Sequence, residues 1–170
     1  MPKKASPNTI GASMLPEFDL EMAPTRRVLE RVPGDRAEWK PHSKSFAIGH
    51  LAQLISWMPG WIANTLQEDS LDLATAPPYA FLPTATLLSA FDANVRDARK
   101  ALSTVKDAAF DKTWALKRGD MVLWSAPRRV ILRNHINHLV HHRGQMTVYL
   151  RLLDVPVPPV YGPTADERTF

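Results

Sequence analysis

The chain has no cysteine. Disulfide frameworks, thiolate zinc sites and a cysteine nucleophile are therefore excluded, and any metal site must be built from histidine, carboxylate, amide or water. The absence suits a reducing compartment. No stretch approaches the roughly 18 apolar residues of a membrane span. The basic Met1-Pro2-Lys3-Lys4 start is not followed by the apolar centre of a secretory leader. A cytoplasmic protein without membrane association is the resulting expectation. Internal repeats and domain-sized linkers are also missing.

What is present is ordinary for a globular protein. Of 170 residues, 45% are hydrophobic and 22% charged, enough for one domain with a substantial core. The net charge is +4. The basic residues are interleaved with acids, and their densest group is Arg128, Arg129 and Arg133 beside Lys117 and Arg118. That dispersion argues against a nucleic-acid partner.

Periodicity divides the chain into four helices. Residues 1–12 mix Lys, Ser, Pro, Asn and Gly and read as a loose arm before a single domain over 13–170. A first helix is expected from about Pro16 to Val32, kinked or split at Pro24 and ended by Pro33-Gly34. A second is expected from about Ser45 to Thr65, capped by Ser43 or Ser45. Apolar residues surround it, from Phe46 and Ile48 to Trp61 and Ile62, so it is buried on several sides. Pro59-Gly60 predicts a bend there. Residues 66–83 read as a long connection.

The third helix is expected from about Thr84 to Lys106, with Leu87, Leu88, Phe91, Val95, Ala98 and Leu102 at helical spacing. Around Lys117-Arg118-Gly119-Asp120, two short β-rich runs suggest a small hairpin. A last helix is expected from Pro127 to about Leu153, with Ser125 as its cap. The Pro-rich tail, Val155–Phe170, reads as an extended strap or as disordered. The expected fold class is all-α, a four-helix bundle with room for a crossover after the second helix and a small β-hairpin before the last.

The last helix carries the chemistry. Arg133 to Gln145 hold four of the six histidines, His135, His138, His141 and His142. His138 and His142 are four apart, so both leave one helix face and can bind one ion. The stripe Ile131, His135, His138, His142, Gln145, Tyr149, Leu152 runs down that face. Beside it runs an apolar stripe, Leu132, Ile136, Leu139, Met146, Leu150, Leu153. One stripe is expected to pack and the other to line a polar pocket.

Two histidines are not a stable metal site. His50 on the second helix is the outside candidate for a third ligand, and His135 the local one. His141 lies off the stripe and reads as a surface residue. Gly144 reads as a small residue permitting close helix contact. Gln145 and Arg143 read as donors near a site or as a surface amide and charge. Trp57 and Trp61 read as core packing or as the wall of a small-molecule pocket.

His138-Leu-Val-His-His142-Arg143-Gly144-Gln145 resembles the final-helix signature of DinB-like proteins, His-x-x-x-His-Arg-Gly-Gln. Thr25 to Pro33, Trp39 to Ser45 and Met58-Pro-Gly-Trp61 are similar to earlier segments of that family. The resemblance implies an up-down-down-up four-helix bundle, often a homodimer. It also implies nickel or zinc on three histidines, two of them matching His138 and His142. It brings the prospect of metal-dependent transferase or isomerase chemistry with a low-molecular-weight thiol, although many members have no assigned activity. On this alignment the third ligand position falls on Leu54, with His50 one turn earlier, about 6 Å along the axis.

A two-histidine remnant, a shifted site using His50 and a metal-free pocket all follow from that departure. The functional alternatives are accordingly two. One is a divalent-metal-dependent enzyme with His138, His142 and His50 as ligands, and with Gln145, Tyr149 and Trp57 toward substrate. The other is a metal-free small-molecule-binding or structural dimeric protein that has lost the third metal histidine.

Overall fold

The computed structural model describes residues 9–168. Four helices, α1 (Ile10–Glu30), α2 (Ile48–Gln67), α3 (Thr84–Thr104) and α4 (Arg128–Leu152), enclose one core. A three-stranded sheet of β1 (Ser70–Asp72), β2 (Thr113–Arg118) and β3 (Met121–Pro127) packs beside them. Short 3-10 turns occupy Gly34–Arg36 and Asp107–Asp111.

The helix α1 starts earlier than the apolar pattern suggests. Thr9 caps it, its hydroxyl accepting from the Ala12 amide at 3.1 Å, which satisfies one of the free first-turn donors. Residues 10–12 of the expected arm are therefore helical, and residues 1–8 lie outside the described residues. Pro16 and Pro24 both sit inside α1 without ending it. Each removes one helical hydrogen bond, while Phe18, Met22, Val28 and Leu29 hold the helix by their burial. Likewise α2 runs through Pro59. Its start is Ala47, with no side-chain cap, so the expected Ser43 or Ser45 cap is not made. The start of α4 differs too. Ser125 belongs to β3, opposite Ala115, and Pro127 is the uncapped boundary.

Helix packing is read from cross-contacts. Gly60 of α2 lies against Asn94 of α3, and Asn94 Nδ2 donates to the Ser56 carbonyl at 2.9 Å. Further along, Asn64 and Gln67 share a groove with Asp97, Lys100 and Thr104. Between α1 and α3, Arg26 pairs with Asp92, Asp19 with Arg99, and Gly11 lies against Leu102. A Cβ on Gly11 would fall 2.1 Å from the Leu102 carbonyl oxygen, so the backbone approach there requires glycine.

The expected hairpin is part of a mixed sheet. β2 and β3 pair antiparallel around Gly119, which has a φ of 59°. β1 adds to β2 in parallel, with Ser70 opposite Ala115 and Asp72 opposite Lys117. The connection after α2 is drawn there by Arg128. This buried guanidinium donates to the Leu66 and Glu68 carbonyls and to Asp69 Oδ1 at 3.2, 3.0 and 2.9 Å. Asp72 Oδ1 then accepts from the Gly119 amide at 2.9 Å and ties β1 to the hairpin turn. A three-residue strand of Ser-Leu-Asp leaves no periodicity to read.

The tail is a strap. Asp154, at a φ of 54°, ends α4. Val157 is buried, Asp166 pairs with Arg151 at 2.5 Å, and Glu167 pairs with Arg27 of α1 and with Arg31 just past its end.

Candidate functional site

The α4 histidines form a hydrogen-bonded series rather than separate groups. His142 Nδ1 lies 2.7 Å from Gln145 Oε1, and His142 Nε2 lies 2.9 Å from His138 Nε2. An amide oxygen only accepts, so His142 carries its proton on Nδ1 and keeps a lone pair on Nε2. His138 must then donate from Nε2, which leaves its own lone pair on Nδ1. Burial lowers the pKa of both rings, and the neighbouring histidines lower it further. The Gln145 contact partly offsets the shift at His142. The pair is therefore neutral near pH 7, with one free lone pair on His138.

His135 is buried, one turn earlier on the same stripe. Its Nε2 lies 3.1 Å from Thr65 Oγ1 of α2, and its Nδ1 has no partner. Burial, with a smaller contribution from His138, pushes its pKa down to about 4. The imidazole is thus neutral, and among the described residues it is not grouped with His138 and His142 to hold an ion.

Two cavities flank the His138–His142 bond. One, of about 280 Å³, is lined by Trp61, Leu71, Leu73, Trp114, Leu116, Trp124, Asn134, His135 and His138. The sheet makes its wall. Leu71, Leu116 and Trp124 are register partners across the three strands, and Trp114 follows on the same face two residues away. The Trp61 ring lies 5.7 Å from His135 and 5.9 Å from His138, and the Trp114 ring meets His135 edge-on at 5.8 Å. Trp114 is buried, and its indole N–H has no partner. Such an orphan donor costs about 1–3 kcal/mol. The other cavity, of about 270 Å³, is lined by Lys44, Ser45, Phe46, His142, Gln145 and Tyr149.

The residues expected from the sequence separate accordingly. His138, His142, Gln145 and Tyr149 come together, Trp61 joins them, and Trp57 borders neither cavity. His50 stacks on Tyr79 at 4.7 Å and lies 4.5 Å from Phe46, with its pKa lowered by burial. It is not paired with His138 or His142.

An ion held tetrahedrally by two imidazoles at 2.0–2.1 Å keeps their nitrogens about 3.3 Å apart, close to the 2.9 Å seen here. Among the described residues a third protein donor is missing, however. Leu54 has none, and among the described residues no three His, Asp or Glu side chains are grouped to hold a metal. The residues present do not make up the three-histidine set that the resemblance implies.

Arg143 was expected near a site or at the surface. It is 1% exposed and bonded to Glu21 of α1. Gly144 touches no other element, for a Cβ there would meet nothing within 4 Å, so the expected helix contact is not made. The basic group is engaged: Arg128 pairs with Asp69, Arg129 with Asp111 and Arg133 with Glu17. Pattern reading missed Trp114, Trp124 and Lys44. The two tryptophans lay in the β-rich runs, whose alternation was the only available signal.

The DinB family model matches residues 1–169. The uncharacterized protein YrdA of Bacillus subtilis (strain 168) is 24% identical over 153 residues, covering 90% of this chain and 89% of that protein. A DinB-like protein from Bacillus cereus ATCC 10987 superposes with a TM-score of 0.69 at 22% identity, covering 90% of this chain and 98% of its own. A DinB-like protein from Bacillus subtilis gives 0.68 at 16% identity, covering 93% and 99%.

Proposed function

The chain belongs to the DinB family, and on that premise we propose that it binds a small, mainly apolar organic molecule between the sheet and α4, without a resident metal ion. The observation that carries this reading is the cavity itself. Three tryptophans and three leucines surround it, and its polar lining is confined to Asn134, His135 and His138. Pockets for organic ligands are built this way, apolar walls with a few placed polar groups. At about 280 Å³ it suits a molecule of one ring and not a nucleotide.

The His138–His142 pair supplies the site's acid–base capacity. With Gln145 holding the Nδ1 proton of His142, the series Gln145–His142–His138 leaves one basic nitrogen on the residue that borders the cavity. That nitrogen accepts a hydrogen bond or a proton from a bound hydroxyl or thiol.

The helix contacts support an up-down-down-up bundle. Residue numbers rise together across α2 and α3, and they run oppositely across α1 and α3. The reading as a metal-dependent thiol transferase or isomerase keeps one supporting observation, the facing Nε2 atoms. It requires a third donor that neither Leu54 nor His50 provides.

The test is a tryptophan-fluorescence titration of the untagged chain with 4-phenylbutanol, alongside elemental analysis. Saturable quenching that Trp124→Ala abolishes, in protein carrying far less than one nickel or zinc per chain, is expected. One tightly held ion per chain, or no saturable quenching, would refute the reading.

A further inference from the structure

The second cavity has a chemistry of its own. Its lining contains one cation, Lys44, and no aspartate or glutamate. Among the described residues Lys44, like the other lysines, forms no ion pair, while every arginine of α1 and α4 has an acidic partner. Three further lining residues carry donors: Ser45 and Tyr149 have hydroxyls, and Gln145 has an amide nitrogen, its oxygen being committed to His142. Among the described residues none of these three groups has a hydrogen-bond partner in the protein. A concave site with one unpaired ammonium, several free donors and no competing carboxylate is complementary to a small anion.

The place of this cavity identifies what the anion belongs to. His142 lines it, His138 lines the tryptophan cavity, and the two rings are hydrogen-bonded with centroids 4.6 Å apart. The cavities thus open on either side of one histidine pair. Their nearest lining residues on α4, His138 and His142, stand about 6 Å apart along the axis, which a linker of three or four methylenes with its carboxylate covers. Resting on the reading above, we propose that the cavity of Lys44, Ser45, Gln145 and Tyr149 is a carboxylate subsite, and that the molecule bound is an aryl- or alkyl-carboxylic acid whose apolar body lies against Trp61 and Trp124. The histidine pair then lies beside the chain joining the two ends.

Matched probes test this without knowledge of the natural ligand. The intact chain is titrated with 4-phenylbutyrate and with 4-phenylbutanol, which share the ring and the linker and differ in charge. The acid is expected to bind about tenfold more tightly, the size of one charge-assisted contact. Lys44→Met is expected to bring the acid's Kd up to that of the alcohol. Lys40→Met, at an exposed lysine outside the cavity, serves as the charge control and is expected to leave the ratio unchanged. Equal affinities in the wild type overturn the carboxylate subsite while the apolar pocket stands. A ratio lost equally in Lys40→Met overturns it too, since the preference would then reflect overall charge. Failure of both probes to bind overturns both readings together.

Discussion

Replacing Glu21 by leucine should be among the most damaging single changes available in this fold. Glu21 and Arg143 are both nearly removed from solvent, at 7% and 1% exposure. The guanidinium pairs with Glu21 Oε2 at 2.7 Å and donates to the Glu21 carbonyl at 3.0 Å, to Thr25 Oγ1 at 3.1 Å and to the Tyr161 hydroxyl at 2.7 Å. Tyr161 in turn donates to the Glu21 carboxylate, and its ring lies 5.0 Å from the guanidinium carbon. Glu21→Leu removes the only formal negative charge in this group and leaves Arg143 with neutral partners. Breaking a buried pair in this way costs about 3–5 kcal/mol, against a total stability of about 5–15 kcal/mol. With a urea m-value of about 2 kcal/mol/M, the unfolding midpoint should fall by roughly 2 M. The double variant Glu21→Leu/Arg143→Met also removes the stranded charge and should unfold at higher urea than Glu21→Leu alone. A shift under about 0.5 M for Glu21→Leu, or losses that simply add in the double variant, would show that solvent reaches Arg143.

His135 should make stability depend on pH. Its pKa is about 4 in the fold against an ordinary 6.5, so between these values the unfolded chain holds the proton and acidification destabilises. From pH 7 to 5 the loss is about 2 kcal/mol, and a His135→Gln variant showing the same slope in urea melts would refute the assignment. Gly144→Ala should stabilise by up to about 1 kcal/mol, because the position is mid-helix and the added methyl meets nothing; a lower melting temperature would contradict that geometry. Leu54→His should acquire zinc-dependent stabilisation in thermal melts that the parent lacks, and an unchanged melting curve in zinc would mean that the position does not face the pair.

The helices were legible because their apolar spacing is dense. Leu87, Phe91, Ala98 and Leu102 are all buried along one side of α3, and the His138–His142 juxtaposition follows from i, i+4 geometry alone. The boundaries were less legible, since capping was expected of Ser43, Ser45 and Ser125 by residue type. In the fold Ser125 is a strand residue and α2 begins uncapped. The helices run on through Pro24 and Pro59, where burial on both sides offsets one lost bond each. β1 had no signature, because its position depends on Arg128, some 60 residues away, and long-range tethers leave no local period. The same holds for the tryptophan wall, which exists only once Leu71, Leu116 and Trp124 are brought into register.

The final-helix signature has two separable purposes. Residues 138, 142 and 145 fall on one face and form the hydrogen-bonded series. Residue 143, about 100° further round, points instead between α1 and the tail. Arg143 is bonded to Glu21 and Thr25 on α1 and to Tyr161 on the strap, so it fixes the rotation of α4 about its own axis. That rotation decides which side chains meet α2 and the sheet. A turn of one residue would carry His138 and His142 away from Trp61 and Phe46 and place Leu139 and Arg143 there instead. The arginine is therefore best understood as the residue that aims the histidines, and its presence beside them does not itself indicate metal chemistry. With Leu54 at the third position the arginine keeps this packing role, so the motif does not by itself require a metal site.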